Sequence, residues 1–478
     1  MTGATHIVAF GAGIPRLRLP RARIREANAW LAPAGSRAPP GRRAVCNWDE
    51  DALTLAVEAA RTALRAAPGI GVESLSLAST TLPFADRDNA SLVAAALDLP
   101  DTLATLDVAT SLRAGTSALA NAARRGEHAA LVVAADARVA KPGSPQELSF
   151  GHGAAAFVLA RDAAAPLATL LATHHVAADF VDHYRMAGAE FDYVLEERWV
   201  RDEGWMKLVP PAIAAALAAA GVAAERIDRV VLAGADAARI AKAAGLVNAT
   251  AADTLAADCG DAGAAQPLLM LAAALETATP GQHLLVIGFG QGVDVLVVRA
   301  EAALTALATK PVAAALAAGV EEVSYVRYLS HAGLVDIDFG MRAERDNRTA
   351  QSVAWRRHRE LLGFVGGRCR RCGTVQYPKA RLCVNPACRE TDTLAPERLA
   401  DTVGRIKSFT EDWQAYAARP PYVYGNVAIA GGGNLLMEFT DGEPGSLAVG
   451  DAVRFVFRIK DIDRLRRFRR YFWKATKV

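Results

Sequence analysis

Short apolar runs of β-type residues alternate with long Ala/Leu-rich stretches through the first three hundred residues, and this alternation restricts the fold more than any other feature of the chain. "SLSLAST" (74–80), "LATLDVAT" (103–110), "AALVVAADA" (129–137) and "GAAAFVLA" (153–160) read as buried strands. Runs without polar alternation belong in sheets covered on both faces, and helices between them supply the cover. "DEDALTLAVEAARTALRA" (49–66) carries apolar residues at helical spacing behind an acidic start, as a helix N-terminus favours. The expected fold class is α/β, a layered domain around a mixed or parallel sheet.

A second cycle follows the first. "RIDRVVLAGADAARIAKAAGL" (226–246) parallels the earlier "SLSLAST" unit, and "HLLVIGFGQGVDVLVVRA" (283–300) parallels "AALVVAADA" with "GHGAAAFVLARD". Two halves of similar pattern predict an internal duplication. The expected organisation is 1–165 and 166–310 for the two halves, 311–360 for a linker and helix, 361–395 for a metal ribbon and 396–478 for a β-barrel with a basic tail.

A chain of 478 residues, 52% hydrophobic and 22% charged, easily supplies a large core. A formal charge of +3 excludes a generic polyanion binder. The longest uncharged run, Leu208–Ala224, holds Pro210, Pro211 and Gly221 and is expected as a buried helix, not a membrane span. Residues 1–15 contain no Lys or Arg, which argues against a secretory signal, and six cysteines do not make a disulfide scaffold. A reducing, cytoplasmic setting is expected.

Four of the cysteines form "CRRCGTVQYPKARLCVNPAC", placing Cys369, Cys372, Cys383 and Cys388 as CxxC, ten residues, then CxxxxC. Two thiolate pairs on knuckle turns offer four tetrahedral ligands to a structural zinc; two disulfides or four free thiols are the alternatives. The segments 401–410, 420–440 and 449–459 then read as short strands with Gly431–Gly433 and Gly450-Asp451 at turns, expected as a small barrel of OB type. From Arg458 to Val478 nine basic residues stand against Asp461 and Asp463, with Phe468, Tyr471, Phe472 and Trp473 interleaved. This tail has three readings: a solvated edge whose aromatics pack on a neighbour, a cationic rim for the phosphates of coenzyme A, or a single-stranded nucleic-acid surface.

"IVAFGAGIPRLRL", "DEDALTLAVEAARTAL", "RAGTSAL" and "ELSFGHGAAAFVLA" together resemble the thiolase superfamily, nearest the 3-hydroxy-3-methylglutaryl-CoA synthase branch, with ketoacyl synthase III a relative. The resemblance covers roughly residues 1–310. It implies a duplicated five-layered αβαβα domain, normally dimeric, that handles acyl groups on coenzyme A. Residues 355–478, with the cysteine pattern, "PPYVYG" and "RRYFWKA", resemble the zinc-ribbon/OB-fold proteins that accompany such enzymes. That second resemblance implies docking on a thiolase or synthase, and it favours coenzyme A over nucleic acid for the tail.

The family's chemistry needs a cysteine at a strand-to-helix turn, where a helix dipole and a histidine lower its pKa. Here the slot falls on Leu112 in "SLRAGT". The family's general-acid glutamate aligns with Thr80 in "ASTTLPFA", its histidine with Ala233 in "LAGAD", and its asparagine with Asp261 beside Gly260. Four concordant losses imply a chain without the Cys/His/Asn/Glu set, expected as a non-catalytic or accessory subunit that meets a thiolase or acyltransferase with an intact cysteine. The alternatives are an acyltransferase of altered mechanism using Ser111, His152 or Asp261, or a nucleic-acid or structural binding module.

Other candidates carry bland expectations. His152 in "GHG" is expected to be structural; His174, His175 and His183 are expected in loops, on the surface or packed on helices. Cys46, despite Arg42 and Arg43 nearby, and Cys259 are expected as inert buried thiols. "GFGQG" (288–292) resembles the family's glycine turn near the cavity.

Overall fold

The computed structural model describes residues 4–31, 37–109, 111–234, 236–341, 350–463 and 465–478. Among the positions singled out above, Thr110, Ala235, Arg464 and residues 342–349 lie outside the described residues. The chain divides into two compact units. The first comprises 1–47, 51–91 and 102–332, the second 48–50, 92–101 and 333–478.

The first unit is built on ten strands: β1 Thr5–Gly13, β2 Ser74–Ala78, β3 Ala104–Val108, β4 Ala129–Ala137, β5 His152–Arg161, β6 Ala168–Ala177, β7 Ile227–Leu232, β8 Thr250–Ala251, β9 His283–Phe289 and β10 Gly292–Ala300. Their order is β8-β7-β9-β10-β6-β1-β5-β4-β2-β3. Read outward from the centre, each half has the same grammar. β1 pairs antiparallel with β5 and β5 with β4, then β4, β2 and β3 run parallel. β6 pairs antiparallel with β10 and β10 with β9, then β9, β7 and β8 run parallel. The halves meet where Thr5 opposes Leu170 and Ile7 opposes Ala168. A shared order of ladder types is the structural counterpart of the repeat seen in the sequence.

Four helices define the layers: α1 Ala52–Ala66, α2 Ala114–Arg125, α3 Met206–Ala220 and α4 Gln266–Leu275. α1 packs on strands of the first half and α3 on strands of the second, whereas α2 and α4 touch strands of both halves and each other. The result is the αβαβα arrangement. α1 starts at Asp51, whose carboxylate accepts from Leu53 N and Thr54 N while Thr54 Oγ1 accepts from Asp51 N, a complete capping box. α3 contains most of the expected uncharged helix and keeps Pro210 and Pro211 inside. α2 packs so closely that a Cβ on Gly288 would stand 2.0 Å from Thr116 Oγ1, which requires glycine there. No helix of the described residues is long and apolar enough to cross a membrane. Residues 311–332, expected as part of a linker, carry helices at Pro311–Ala317 and Tyr325–His331, and Val320–Glu321 pairs parallel with Leu17–Arg18 of the same unit.

In the second unit, Val365–Cys369 pairs antiparallel with both Val375–Gln376 and Leu394–Arg398 to make the ribbon. Five strands follow: β11 Gly404–Asp412, β12 Tyr422–Ile429, β13 Asn434–Glu438, β14 Ala452–Asp463 and β15 Phe468–Lys477, in the order β13-β12-β11-β14-β15. A bridge from Phe439 to Ala475, with Thr440 N donating to Ala475 O at 2.9 Å, closes the sheet into a barrel. The basic tail is therefore barrel wall. Phe457, Tyr471 and Trp473 are buried, with Phe457 and Tyr471 stacked at 5.5 Å. Arg466 pairs with Asp463, Arg470 with Asp461 and Lys477 with Asp451, which spends much of the tail's charge locally.

Candidate functional site

The carboxyl ends of the parallel strands and the N-termini of α2 and α4 converge on one cavity of about 760 Å³ in the first unit. Leu112 reaches it from the turn between β3 and α2, Ala233 from the end of β7, Asp261 from the approach to α4, and Phe289 from the end of β9. Three of the four aligned positions, Leu112, Ala233 and Asp261, thus line one space. The fourth, Thr80, lies to the side: its N–H and Oγ1 donate to Asp136 at 2.7 and 2.8 Å. Asp136 is fully buried and also accepts from Ser79, Thr81 and Ala264 N.

Ser111 is held by backbone. Its Oγ donates to Gly290 O at 2.8 Å and accepts from Arg113 N at 3.3 Å, and no imidazole bonds to it among the described residues. The region behind it is electrostatically crowded. Asp294, fully buried, accepts from Arg113 Nη1 (2.8 Å), His175 Nδ1 (2.7 Å), Ser117 Oγ (2.5 Å) and Thr116 Oγ1 (3.0 Å). Burial alone would raise its pKa, but the bonds from His175 and Ser117 and the charge of Arg113 outweigh this and lower it. His174 and His175 are accordingly strand residues of β6, not loop residues, since the second half begins directly after the first.

His152 has both ring nitrogens engaged: Nδ1 accepts from Cys46 N at 2.9 Å and Nε2 donates to Arg138 O at 3.0 Å. Burial, aided by the nearby Arg43 charge, pushes its pKa down to about 3, so the ring is neutral. Cys259 is fully buried and its thiol is pushed up to about 12, chiefly by burial. Arg42 bonds to Asp258 and Arg43 to Glu147 O, so neither is directed at Cys46 by these bonds.

Arg138 was not a sequence candidate, yet it lines the cavity. Its Nη2 pairs with Asp192 at 2.6 Å, its guanidinium lies 3.8 Å from the Phe150 ring centroid, and its Nη1 is 3.8 Å from Asp261 Oδ2. Gly263, at φ +58°, makes room: a Cβ there would meet Asp136 Oδ2 at 2.4 Å and Arg138 Cδ at 2.6 Å. Asp192 also accepts from Arg185 at 2.9 Å, and Arg185 reaches Thr80 O. These contacts fasten a hairpin in which His183 opposes Val194 and Tyr184 opposes Tyr193. His183 and Asp182 both line the cavity, which corrects the expectation of a surface histidine. A π-helical turn, Val200–Trp205, completes the wall, with Trp205 stacked on Phe289 at 4.0 Å.

In the second unit the four cysteine Sγ atoms lie within 4.8 Å of one another. Cys369 and Cys388 are 3.9 Å apart and Cys372 and Cys383 3.6 Å. Both separations are far beyond a disulfide bond, about 2.05 Å. A tetrahedron with Zn–S bonds of about 2.3 Å has edges of about 3.8 Å, so the quartet fits zinc. Around the cysteines the apolar cluster is only Cys369, Cys383 and Leu394 with Cys388 against it, a knuckle that a bound metal would tie together.

The fold and the two sites define the class: a thiolase-like α/β domain followed by a zinc ribbon and an OB barrel. Residues 362–393 match the family model "ChsH2, rubredoxin-like zinc ribbon domain" and residues 397–458 the model "ChsH2, C-terminal OB-fold domain". Over the N-terminal region the chain is similar to hydroxymethylglutaryl-CoA synthases. It is 28% identical over 298 residues to that of Methanocella arvoryzae (60% of this chain, 84% of the relative) and 27% identical over 347 residues to that of Archaeoglobus fulgidus (68% and 97%). Among solved structures, MvaS in complex with 3-hydroxy-3-methylglutaryl coenzyme A superposes with TM-score 0.57 at 21% identity, covering 69% of this chain and 92% of its own. FabH, the 3-oxoacyl-(acyl carrier protein) synthase III of Pseudomonas aeruginosa, superposes with TM-score 0.54 at 22% identity, covering 62% and 98%. The chain is a hydroxymethylglutaryl-CoA-synthase-like protein of thiolase-like fold with ChsH2-type domains fused behind it.

Proposed function

We propose that this protein takes a CoA thioester into the cavity of its first unit, forms no acyl-enzyme on its own chain, and acts beside a thiolase or acyltransferase that carries the intact cysteine. The observation that carries the reading is Leu112: a hydrocarbon side chain stands at the mouth of α2, in one cavity with Ala233 and Asp261. A leucine cannot attack a thioester, and α2's positive end then has no thiolate to stabilise. The names of the relatives and of the coenzyme-bound neighbours support a CoA ligand, and Arg201 and Arg239 in the cavity wall, which share the single carboxylate of Asp202, leave a net positive charge for an anionic one.

Titration calorimetry of the full chain with acetyl-CoA, against desulfo-CoA as control, combined with intact-mass analysis, tests this reading. Saturable binding with unmodified protein mass is expected. A stoichiometric acyl adduct, or no thioester binding, would overturn it. Co-purification from the native host should bring down a separate thiolase-type chain with its cysteine in place.

A further inference from the structure

His183, half-buried, differs from His152 and His175 in what its two nitrogens do. Its Nδ1 lies 3.0 Å from Asp182 Oδ2, and a carboxylate only accepts, so Nδ1 carries the proton and Nε2 holds the lone pair of the neutral ring. Among the described residues Nε2 makes no hydrogen bond, and it is not one of their sealed polar atoms. His152 spends both nitrogens on backbone, and His175 Nε2 is sealed from solvent. The His183 side chain is only 15% exposed and lines the cavity, as does Asp182 at 14%. Because Asp182 is its neighbour in sequence, their bond ties no distant elements together, and a purely architectural role leaves it unexplained.

The same cavity holds a matching donor. Arg138 commits Nη2 to Asp192, while Nη1 stops 3.8 Å short of Asp261 Oδ2, too far for a hydrogen bond. A guanidinium N–H available there meets the requirement of a developing oxyanion.

We propose that Asp182 and His183 form a proton-transfer pair, with His183 Nε2 the general base toward the carbon next to the carbonyl of a CoA thioester. This rests on the reading that the cavity takes such a thioester. In the forward step the C–H bond breaks, the proton moves to Nε2, and the electron pair delocalises onto the thioester oxygen as an enolate facing Arg138 Nη1. Asp182 stabilises the imidazolium formed. In the reverse step Nε2 returns a proton, exchanged with solvent, to the same carbon. Atoms and electrons balance without oxidant, reductant or nucleophile, so the step needs no cysteine. The substrate class is a short acyl-CoA with at least one hydrogen on that carbon, which the chain would deliver as an activated enolate or in exchange equilibrium with it.

The experiment incubates full-length protein with propanoyl-CoA in D2O and follows deuterium in the recovered thioester by mass spectrometry, with calorimetric binding in parallel. Wild-type protein is expected to exchange the α-hydrogens above the buffer rate. His183→Gln should lose about 100-fold or more of the excess while keeping binding and melting temperature. Asp182→Asn should lower the excess exchange rate while binding and melting temperature are kept, and Asp182→Glu should restore part of it; a purely structural role would move binding and melting temperature instead. Binding without exchange, or unchanged exchange in His183→Gln, overturns the proton-transfer pair and spares the thioester reading. Absence of binding overturns both.

Discussion

Arg138 Nη2 and Asp192 Oδ2 lie 2.6 Å apart with both side chains only 4% exposed, and this ion pair fastens the hairpin that roofs the cavity. Losing one partner of a buried pair leaves the other charge uncompensated, at a cost of about 3–5 kcal/mol. Asp192→Ala should therefore lower the denaturation midpoint strongly, and hydrogen exchange should quicken first in residues 182–195. Unaltered protection of that hairpin would show that the pair does not hold it.

Leu112 offers a gain-of-reactivity test. In Leu112→Cys the new thiol would stand near the start of α2 without a histidine at Ala233 to activate it. Iodoacetamide is expected to label it more slowly than a free activated thiolate, acyl-CoA should protect it, and intact mass should show no rapid acyl transfer. Labelling indifferent to acyl-CoA would place the ligand elsewhere.

Much of this site was legible in the sequence, and the reason is local. Leu112, Ala233 and Asp261 sit at the ends of strong βα patterns, where flanking residues fix the alignment. Asp136 in "AALVVAADA" and Asp294 in "GVDVLVV" also carried a readable signal, because a carboxylate inside an apolar strand must find partners. Arg138, one residue beyond β4, was findable as a charge at a strand's carboxyl end. His183 was not. It reaches the cavity on a two-residue strand whose pairing depends on Arg138, Arg185 and Asp192, contacts that no periodicity encodes. The tail's three readings could not be separated in the sequence for a related reason: only strand pairing buries Tyr471 and Trp473 and sets the charges beside Asp451, Asp461 and Asp463.

His152 sets a pH dependence. Its folded pKa is about 3 against an ordinary 6.5, so below pH 6.5 the unfolded chain binds a proton that the folded chain refuses. Stability from this residue is full above pH 6.5 and falls by up to about 1.4 kcal/mol per unit as pH drops toward 3. His152→Gln preserves one acceptor and one donor without titrating. The variant's melting temperature should fall less steeply than wild type between pH 6.5 and 5.

Metal removal should act on the second unit. Cys383→Ser, or a strong chelator, is expected to take bound zinc from one ion per chain toward none and to expose amides of 365–398, while far-ultraviolet ellipticity from the first unit persists. Full zinc with Cys383→Ser would remove that thiolate from the ligand set.

Within the second unit, Lys474 is the cation at the centre of a buried cluster. Its Nζ lies 3.0 Å from Asp49 Oδ2, 3.4 Å from Glu438 Oε2 and 4.1 Å from the Trp48 ring centroid, and the side chain is 2% exposed. Burial alone would raise Glu438; the charges of Lys474 and Lys460, with bonds from Lys460 and Tyr422, outweigh it and hold that carboxyl at about 2. Lys474→Met should cost up to about 3–5 kcal/mol near neutral pH, because two buried carboxylates lose the cation they share, Glu438 keeping Lys460 and Asp49 the more distant Arg458. The depressed Glu438 contributes stability that is present above its ordinary pKa of 4.5 and is lost as pH falls toward 2. Wild type therefore forfeits more on acidification than the variant, and the gap between their urea midpoints should narrow as pH falls from about 5 toward 3. A gap that stays constant would mean that Lys474 acts by packing on Trp48 and not by its charge.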